Sequence, residues 1–293
     1  MIDTPLRILL SYHYYRNVDL NNALARHFAD LHLDIFADSG AFSAMTQGAK
    51  ISLEGYATWI KKWKHLISCY ANLDVIMDAE TTWENQQRLE DMGLQPIPVF
   101  HVLEDWKWLE HYVERYSYIA LGVAGMQQRK DAVMAWLARC FAIAGDRAVF
   151  HGFALTSWQV MKAFPWYSVD SSSWGRGFRY GEVPVFCKRE GRFLRLKLGD
   201  LTTWIRHAGL VQSLGFNPAD FGYRKNNSRE KVCAISALSY ILAERWLRKH
   251  HGEIEIPNSL TERDLRDTSL GLKIYLVVTS HDVPNVQFLP ATS

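Results

Sequence analysis

The sequence predicts an α/β protein, a TIM-like (β/α)8 barrel with a basic C-terminal appendix. Short apolar runs alternate with amphipathic stretches along the first part of the chain, which is the pattern of a parallel sheet with right-handed crossovers. The 293 residues, 48% of them hydrophobic, supply enough apolar material for one large core. No glycine-rich phosphate loop follows any of the apolar runs, and this disfavours a doubly wound nucleotide-binding sheet.

The expected strands are short and rich in Ile, Val, Leu, Phe and Tyr, as buried parallel strands are. They span residues 7–14, 34–38, 74–78, 96–101, 118–123, 148–153 and 166–170. The expected helices lie between them at residues 53–70, 82–92, 106–116 and 131–144. In the first of these helices the apolar residues recur at the spacing of one helix face. This series of β/α units fits a barrel better than a small open sheet.

The pattern changes after Gly177. Basic, alternating residues 179–197 predict a hairpin, residues 229–250 an amphipathic helix, and KIYLVVTS near the end a strand. We therefore expect one barrel domain over residues 1–293, with a core of about 5–250 and an appendix of about 251–293.

Composition narrows the class of protein. The four cysteines are scattered and form no CxxC pair, which fits a reducing compartment and argues against a disulfide framework. The N-terminal apolar run is too short and too polar for a signal peptide, and no other stretch reaches the length of a membrane span. We expect a soluble, cytoplasmic protein with no membrane partner.

One segment is strongly basic. Residues 171–231 hold twelve Lys and Arg against five Asp and Glu, a local excess of seven positive charges. Such a segment suits a nucleic-acid backbone, because each phosphate contact releases condensed counterions. The alternative is a solvated surface on which charge is unevenly spread.

Reactive side chains follow several of the expected strands. Asp38, Asp78, His101 and Asp170 stand at strand ends, where the chemistry of an α/β barrel is located. A single Asp in such a place is commonly a helix cap or a turn residue. If these carboxylates converge, their like charges raise at least one pKa and leave one proton donor and one nucleophile or base. That pair serves glycosyl transfer at a sugar C1′.

The motifs around these residues resemble the tRNA-guanine transglycosylases. DSGAFSAMTQGAKIS and LDVIMDAE are similar to the family's DSGGFQ signature and its D-I-x-M-x-D strand. YIALGVAG, FHGFA and YSVDSSSWGRGFR then follow in family order, over roughly residues 34–180. Arg176 and Arg179 lie six and nine residues after Asp170, the offsets of the family's arginines from its nucleophile. The short chain looks most like the phage DpdA relatives, which exchange guanine for a 7-deazaguanine in DNA.

The resemblance implies a role for each carboxylate. Asp170 would be the nucleophile that forms a covalent glycosyl-enzyme intermediate, and Asp38 the general acid/base. Asp78 would bind the Watson–Crick edge of the base. Arg176 and Arg179 would hold phosphates beside the attacked nucleotide.

The resemblance also assigns the groups around the base. Phe42 would stack on the flat base, with Phe150 or His151 on the opposite side. Backbone groups would contact the base where a Cβ would obstruct its approach, at Gly122, Val123, Ala124 and Gly125. Ser43 replaces a base-contacting Gln of the family, and His101 stands where another base contact is expected. These two departures leave the identity of the incoming base open.

The family's CxCxxC…H zinc site is missing, and Cys187, Cys233, His207 and His250 do not reproduce its spacing. We therefore expect no cofactor, with a zinc site built from scattered residues as the lesser alternative. In the family this zinc-bearing element helps to grip tRNA, so its loss favours DNA as the polymer. The resemblance to the phage relatives implies a 7-deazaguanine such as preQ0 as the incoming base. A tRNA enzyme with a reduced C-terminus and a non-catalytic nucleic-acid-binding or partner subunit remain the alternatives.

Overall fold

The computed structural model describes residues 5–28, 31–123, 130–155, 157–223, 228–252, 254–257 and 271–278. Eight of the ten strands in these residues form one parallel sheet, in the order β3-β2-β1-β10-β7-β6-β5-β4, so the α/β class is confirmed. The strands of this sheet are β1 (Leu6–Ser11), β2 (Leu33–Asp38), β3 (Cys69–Tyr70), β4 (Val99–His101), β5 (Tyr118–Gly122), β6 (Val149–Phe153), β7 (Ser168–Ser171) and β10 (Lys273–Val278). The remaining two, β8 (Glu182–Cys187) and β9 (Arg192–Lys197), form an antiparallel hairpin, as the alternating basic segment predicted.

Helices connect the strands. They are α1 (Tyr12–Tyr15), α2 (Leu20–Phe28), α3 (Ala41–Thr46), α4 (Leu53–Trp63), α5 (Ala79–Asp91), α6 (Trp106–Arg115), α7 (Lys130–Ala144), α8 (Trp158–Ala163), α9 (Arg176–Tyr180), α10 (Leu201–Arg206), α11 (Ala208–Ser213), α12 (Ala219–Gly222) and α13 (Arg229–His251). Several begin at a Ser or Asp whose side chain accepts a backbone N–H of the first turn, which stabilises a helix by about 1 kcal/mol. These caps are Ser52, Asp78, Asp105, Ser157, Asp200 and Ser228.

The sheet buries apolar side chains on both faces. One face packs against the helices, where Tyr56 and Ile60 of α4 are fully buried. Side chains of the other face, including Phe36, Tyr118 and Tyr275, pack in a second cluster. Burial on both faces explains why the strands are continuous apolar runs without polar alternation.

The sheet is strongly curved. The ring of Phe36 on β2 stacks on His151 of β6, with centroids 4.3 Å apart, although β1, β10 and β7 lie between these strands in the sheet. Beyond β3, Ala71 forms a parallel bridge with Ile97, which precedes β4. The backbone N–H of Asn72 donates to the carbonyl of Ile97 at 2.9 Å. These bonds join the segments next to the first and last strands of the sheet order.

A buried ion-pair network joins β1, β2, β10 and α13 at the amino ends of β1 and β2. Nη1 of Arg7 lies 2.6 Å from Oε1 of Glu244, and Nε of Arg7 lies 3.1 Å from Oδ2 of Asp34. The Tyr275 hydroxyl donates to Asp34, and the Ile274 N–H donates to Glu244. Each charge therefore has a partner, as buried charges require.

Part of the segment expected as a C-terminal appendix lies within the sheet. KIYLVVTS does give a strand, β10, but it lies between β1 and β7 in the sheet. Residues 273–278 therefore belong to the sheet, although the sequence analysis had expected the core to end near residue 250. A strand buried on both faces is a continuous apolar run without polar alternation, so its central position in the sheet cannot be recognised from the sequence.

The third expected strand, at residues 74–78, is also wrong. Helix α4 ends at Trp63, and the chain pairs with β2 from Ser68, whose N–H donates to the carbonyl of Ile35. Strand β3 therefore starts five residues earlier than expected, at Cys69. The later segment is a loop tied to α5, because Thr82 Oγ1 accepts the N–H of Val75. Tertiary pairing overrode the local pattern here.

Within the described parts of the chain, no helix is long and apolar enough to cross a membrane.

Candidate functional site

Polar side chains meet at the carboxyl edge of the parallel sheet. Asp38 ends β2, His101 ends β4, and Asp170 is the penultimate residue of β7. A further carboxylate, Asp74, follows β3 and was missed by the sequence analysis. Parallel strands bring their carboxyl ends to the same edge, which is why four separate segments contribute to one site.

Asp38 is the most perturbed carboxyl group of the site. Burial, followed by the charges of Asp74 and Asp170, raises its pKa from 3.8 to about 8. Hydrogen bonds from the backbone N–H groups of Ser39 and Gly40 oppose this shift, the latter at 3.0 Å from Oδ2. Asp38 therefore holds its proton at neutral pH, as expected for one member of a set of converging carboxylates.

Asp74 and His101 form a buried pair. Nε2 of His101 lies 2.8 Å from Oδ2 of Asp74, and the Ser39 hydroxyl donates to Oδ1 of Asp74 at 3.4 Å. Burial lowers the pKa of His101, but the hydrogen bond and charge of Asp74 and the charge of Glu104 outweigh it and raise the pKa overall. Oε2 of Glu104 also accepts the backbone N–H of His101 at 2.9 Å. His101 is thus held at its ring by Asp74 and at its backbone N–H by Glu104.

Asp170 is buried and held by two neighbours. Its Oδ1 accepts the backbone N–H of Ala154 at 2.9 Å, and Nε2 of His151 lies 3.5 Å away. His151 is itself fully buried, and its Nδ1 lies 2.6 Å from the Ser168 hydroxyl. Burial lowers the pKa of His151, although Asp170 opposes this. The arrangement orients the Asp170 carboxyl group at the sheet edge.

Asp78 does not join the other carboxylates. It is exposed and caps α5, where Oδ1 accepts the N–H of Thr81 at 3.0 Å and Oδ2 accepts the Thr81 hydroxyl at 2.7 Å. These hydrogen bonds lower its pKa. The carboxylate at the base of this loop is Asp74 instead. The shift follows from the misplaced third strand, because a strand that starts at Cys69 brings Asp74 to the sheet edge.

The residues expected to contact a base are distributed around this edge. Phe42 is 49% exposed on α3, just after Asp38, and Ser43 next to it is half-buried. Gly122 ends β5, and a Cβ there would come within 2.5 Å of Nδ1 of His101, so glycine is required by this close approach. Val123 packs against the core. Ala124 and Gly125 lie outside the described residues.

Phe150 faces the helices, away from the site. It is fully buried, and its ring contacts Phe141 of α7 with centroids 5.0 Å apart. Of the two residues expected opposite Phe42, only His151 points to the side of the sheet that carries Asp170. Successive strand residues face opposite sides, which separates this neighbouring pair.

The two arginines follow Asp170 on the short helix α9. Nη2 of Arg176 lies 2.7 Å from Oε2 of Glu182, and the Arg176 side chain is half-buried. Arg179 is exposed, with its guanidinium 5.7 Å from the centroid of the Phe178 ring. The role of these two arginines as phosphate contacts stays a prediction.

The basic hairpin lies near the same edge. Burial raises the pKa of Tyr240 on α13, whereas hydrogen bonds with Ser171 and Ser173 and the charges of Arg176 and Arg195 lower it. Tyr240 thus lies within reach of both β7 and β9. The Tyr240 ring also contacts Phe193 of β9, with centroids 4.8 Å apart, and Arg195 of β9 acts electrostatically on the same tyrosine.

Three non-glycine residues of the described chain have positive φ, and all follow strand ends at this edge. They are Met77 (φ 68°), Leu103 (φ 75°) and Ala154 (φ 53°). Such a conformation costs roughly 1–3 kcal/mol outside glycine. At Ala154 it accompanies the N–H that donates to Asp170. Met77 and Leu103 are instead 71% and 59% exposed.

Among the described residues, no three His, Cys, Asp or Glu side chains are grouped as metal ligands. Cys187 and Cys233 are buried, and His250 stacks on Trp246.

The site therefore combines a protonated carboxyl group, an oriented second carboxyl group and a buried carboxylate–histidine pair. This set can donate a proton and offer an oxygen nucleophile on one sheet edge. Comparison of the chain with protein-family models, with curated proteins and with solved structures found no significant match, so the resemblance to the transglycosylases rests on its motifs.

Proposed function

We propose that the protein is a base-exchange glycosyltransferase that replaces guanine in DNA by a 7-deazaguanine of the preQ0 type. The observation that carries the proposal is Asp38, whose pKa is raised to about 8 by burial and by the charges of Asp74 and Asp170. A proton donor beside a second carboxyl group at a barrel edge is what displacement of a base from C1′ needs.

In the first step an oxygen of Asp170 attacks C1′ of the nucleotide, and the C1′–N9 bond to guanine breaks. The leaving guanine takes the proton of Asp38 and departs as the neutral base. In the second step the incoming 7-deazaguanine returns a proton to Asp38, and its N9 attacks C1′. The bond to Asp170 then breaks, so the polymer is restored and one neutral base has replaced another.

The surrounding residues support these two roles. The Ala154 N–H and His151 orient Asp170 for attack. The Asp74 carboxylate, held by His101, places a negative charge near Asp38 and so favours the protonated form of Asp38. Asp74 and His101 also carry polar groups that suit the edge of a purine, the role that the motif comparison had given to Asp78.

We further propose that the curved sheet is a closed (β/α)8 barrel. The bridge between Ala71 and Ile97 and the stacking of Phe36 on His151 across the sheet support closure. A closed barrel would gather Asp38, Asp74 and Asp170 around one central opening.

The basic segment supports a polymeric substrate. Arg176 and Arg179 follow Asp170 on α9, and Arg195 on β9 acts electrostatically on Tyr240 beside Ser171. Phosphates on either side of the attacked nucleotide would meet these cations. Since no tRNA-gripping zinc element is recognisable in the sequence, DNA is the favoured polymer.

Exchange of radiolabelled guanine into polymer tests this function. The purified protein is incubated with labelled guanine, or with preQ0 as competitor, and with DNA or tRNA. We expect incorporation into DNA that preQ0 inhibits, and complete loss of it in Asp170→Asn, because an amide cannot attack C1′. Asp200→Asn is the matched control, since Asp200 caps α10 through Thr203 and an Asn caps equally well.

Incorporation into tRNA alone would support the tRNA enzyme. Absence of exchange into either polymer by the wild-type protein, with retained nucleic-acid binding, would support the non-catalytic subunit. Exchange at a near-normal rate by Asp170→Asn would remove Asp170 from the nucleophile role.

A further inference from the structure

Exposed apolar side chains are concentrated at the edge that holds the site. Five of the eight large hydrophobic residues exposed in the described chain follow the carboxyl ends of β2, β3, β4 and β7. These five are Phe42, Met45, Met77, Leu103 and Tyr180. A single exposed apolar residue is ordinary, but a group around a polar site marks a binding surface.

Met77 and Leu103 differ from the other three by their backbone. Both adopt positive φ although neither is glycine, and both side chains are more than half exposed. The strained backbone conformation therefore does not bury these side chains. Strain that is retained without a packing gain indicates a functional constraint on where the side chain is presented.

The two residues lie on neighbouring loops that adjoin the site. Met77 follows Asp74 by three residues and Leu103 follows His101 by two, and Asp74 and His101 are hydrogen-bonded to each other. The chain allows at most about 11 Å between Cα atoms three residues apart. Burial raises the pKa of Glu104 most, and the charges of Asp74 and Asp78 raise it further. Glu104 follows Leu103 and Asp78 follows Met77, so the two loops lie within electrostatic reach of each other.

We propose that Met77 and Leu103 form an apolar wedge that enters duplex DNA and occupies the space left by the extruded nucleotide. This inference rests on the proposed function, in which the reacting C1′ must reach Asp170 and the guanine must leave the stack. Apolar side chains fill such gaps in other duplex-binding proteins because they replace the lost stacking without requiring hydrogen bonds. The excess of positive charge in residues 171–231 suits the phosphates of such a duplex.

The test uses Met77→Gly/Leu103→Gly. Glycine adopts positive φ without cost, so the double variant loses the side chains together with the strain. We expect its Tm to equal or exceed that of the wild type. A fall of several degrees would assign the two side chains a structural role and overturn the proposal.

The first readout is binding, which needs no chemistry. Fluorescence anisotropy compares a duplex with one central abasic site to the same intact duplex. The wild type should bind the abasic duplex about tenfold more tightly, because no base must be unstacked. The glycine variant should lose this preference, whereas Ile205→Ala should keep it, since Ile205 is 58% exposed on α10, which packs against α11, α12 and β9. Equal binding of both duplexes by the wild type would overturn the wedge.

The second readout is labelled-guanine exchange into heat-denatured and native DNA. The ratio of native to denatured exchange should fall at least about tenfold in the glycine variant. An unchanged ratio would overturn the wedge while leaving the base-exchange function intact. If the wild type exchanges no base at all, the proposed function fails, and the binding comparison still decides the wedge.

Discussion

Nε2 of His101 lies 2.8 Å from Oδ2 of Asp74, and the two side chains come from different strand ends of the same sheet edge. Asp74 also raises the pKa of Asp38, second only to burial. One carboxylate therefore acts on both neighbours in the same direction: it favours the protonated form of His101 and of Asp38. The state of the proton donor depends on a residue that the motifs did not single out.

Asp74→Asn should lower the pKa of both neighbours. Asp38 loses a like charge, and His101 loses a charged acceptor. If Asp38 must be protonated for base exchange, activity falls as pH rises through its pKa of about 8. In the variant we expect this limb of the kcat/KM profile to move down by about one pH unit. A shift of the limb to higher pH would contradict the role of Asp74, and an NMR titration of His101 provides the readout independent of catalysis.

Asp38→Asn should remove part of the pH dependence of stability. Between 3.8 and about 8 the folded protein keeps the proton of Asp38 and the unfolded chain does not. The contribution of this group to stability is complete below 3.8 and is lost as pH rises through about 8. The variant should therefore unfold near the wild-type temperature at pH 4 and above it at pH 8.5. Each kcal/mol corresponds to about 2–4 °C in Tm, and equal Tm values at pH 8.5 would contradict the raised pKa.

Gly122→Ala should disturb the Asp74–His101 pair. The added Cβ would lie 2.5 Å from Nδ1 of His101, so the buried ring must move. We expect a loss of about 1–3 kcal/mol in the free energy of unfolding, measured by urea denaturation. Gly209→Ala is the matched control, because nothing lies within 4 Å of a Cβ at that helical position, and it should be neutral or slightly stabilising. Equal stability of the two variants would show that the His101 ring adapts without cost.

Arg176→Ala should weaken DNA binding without changing the rate at saturation. A lost phosphate contact reduces the slope of log K against log salt by about 0.9. Its partner Glu182 is left without this cation, which adds to the loss of affinity. Arg192→Ala is the control, since Arg192 is exposed and paired with Glu190. Arg192 begins β9, at the end opposite Lys197, the residue that pairs with Glu182 in the hairpin. An unchanged salt slope in Arg176→Ala would remove Arg176 from phosphate binding.

The sequence alone determined the α/β class, most strand and helix positions, the β8–β9 hairpin and the placement of Asp38, His101 and Asp170 at strand ends. These features depend on local apolar patterns and on residues that directly follow them, so they are readable from one chain. The motif offsets likewise predicted Arg176 and Arg179 as phosphate contacts, and this stays a prediction.

Only the tertiary structure decided which carboxylate completes the site. The expected strand at residues 74–78 put Asp78 at its carboxyl end and Asp74 at its start, so the choice depended on where β3 begins. Pairing of Ser68 with Ile35 set that start, made Asp74 a buried partner of His101 and left Asp78 as a helix cap. The central position of β10 was decided in the same way, because hydrogen bonds to β1 and β7 are long-range contacts that no local pattern encodes.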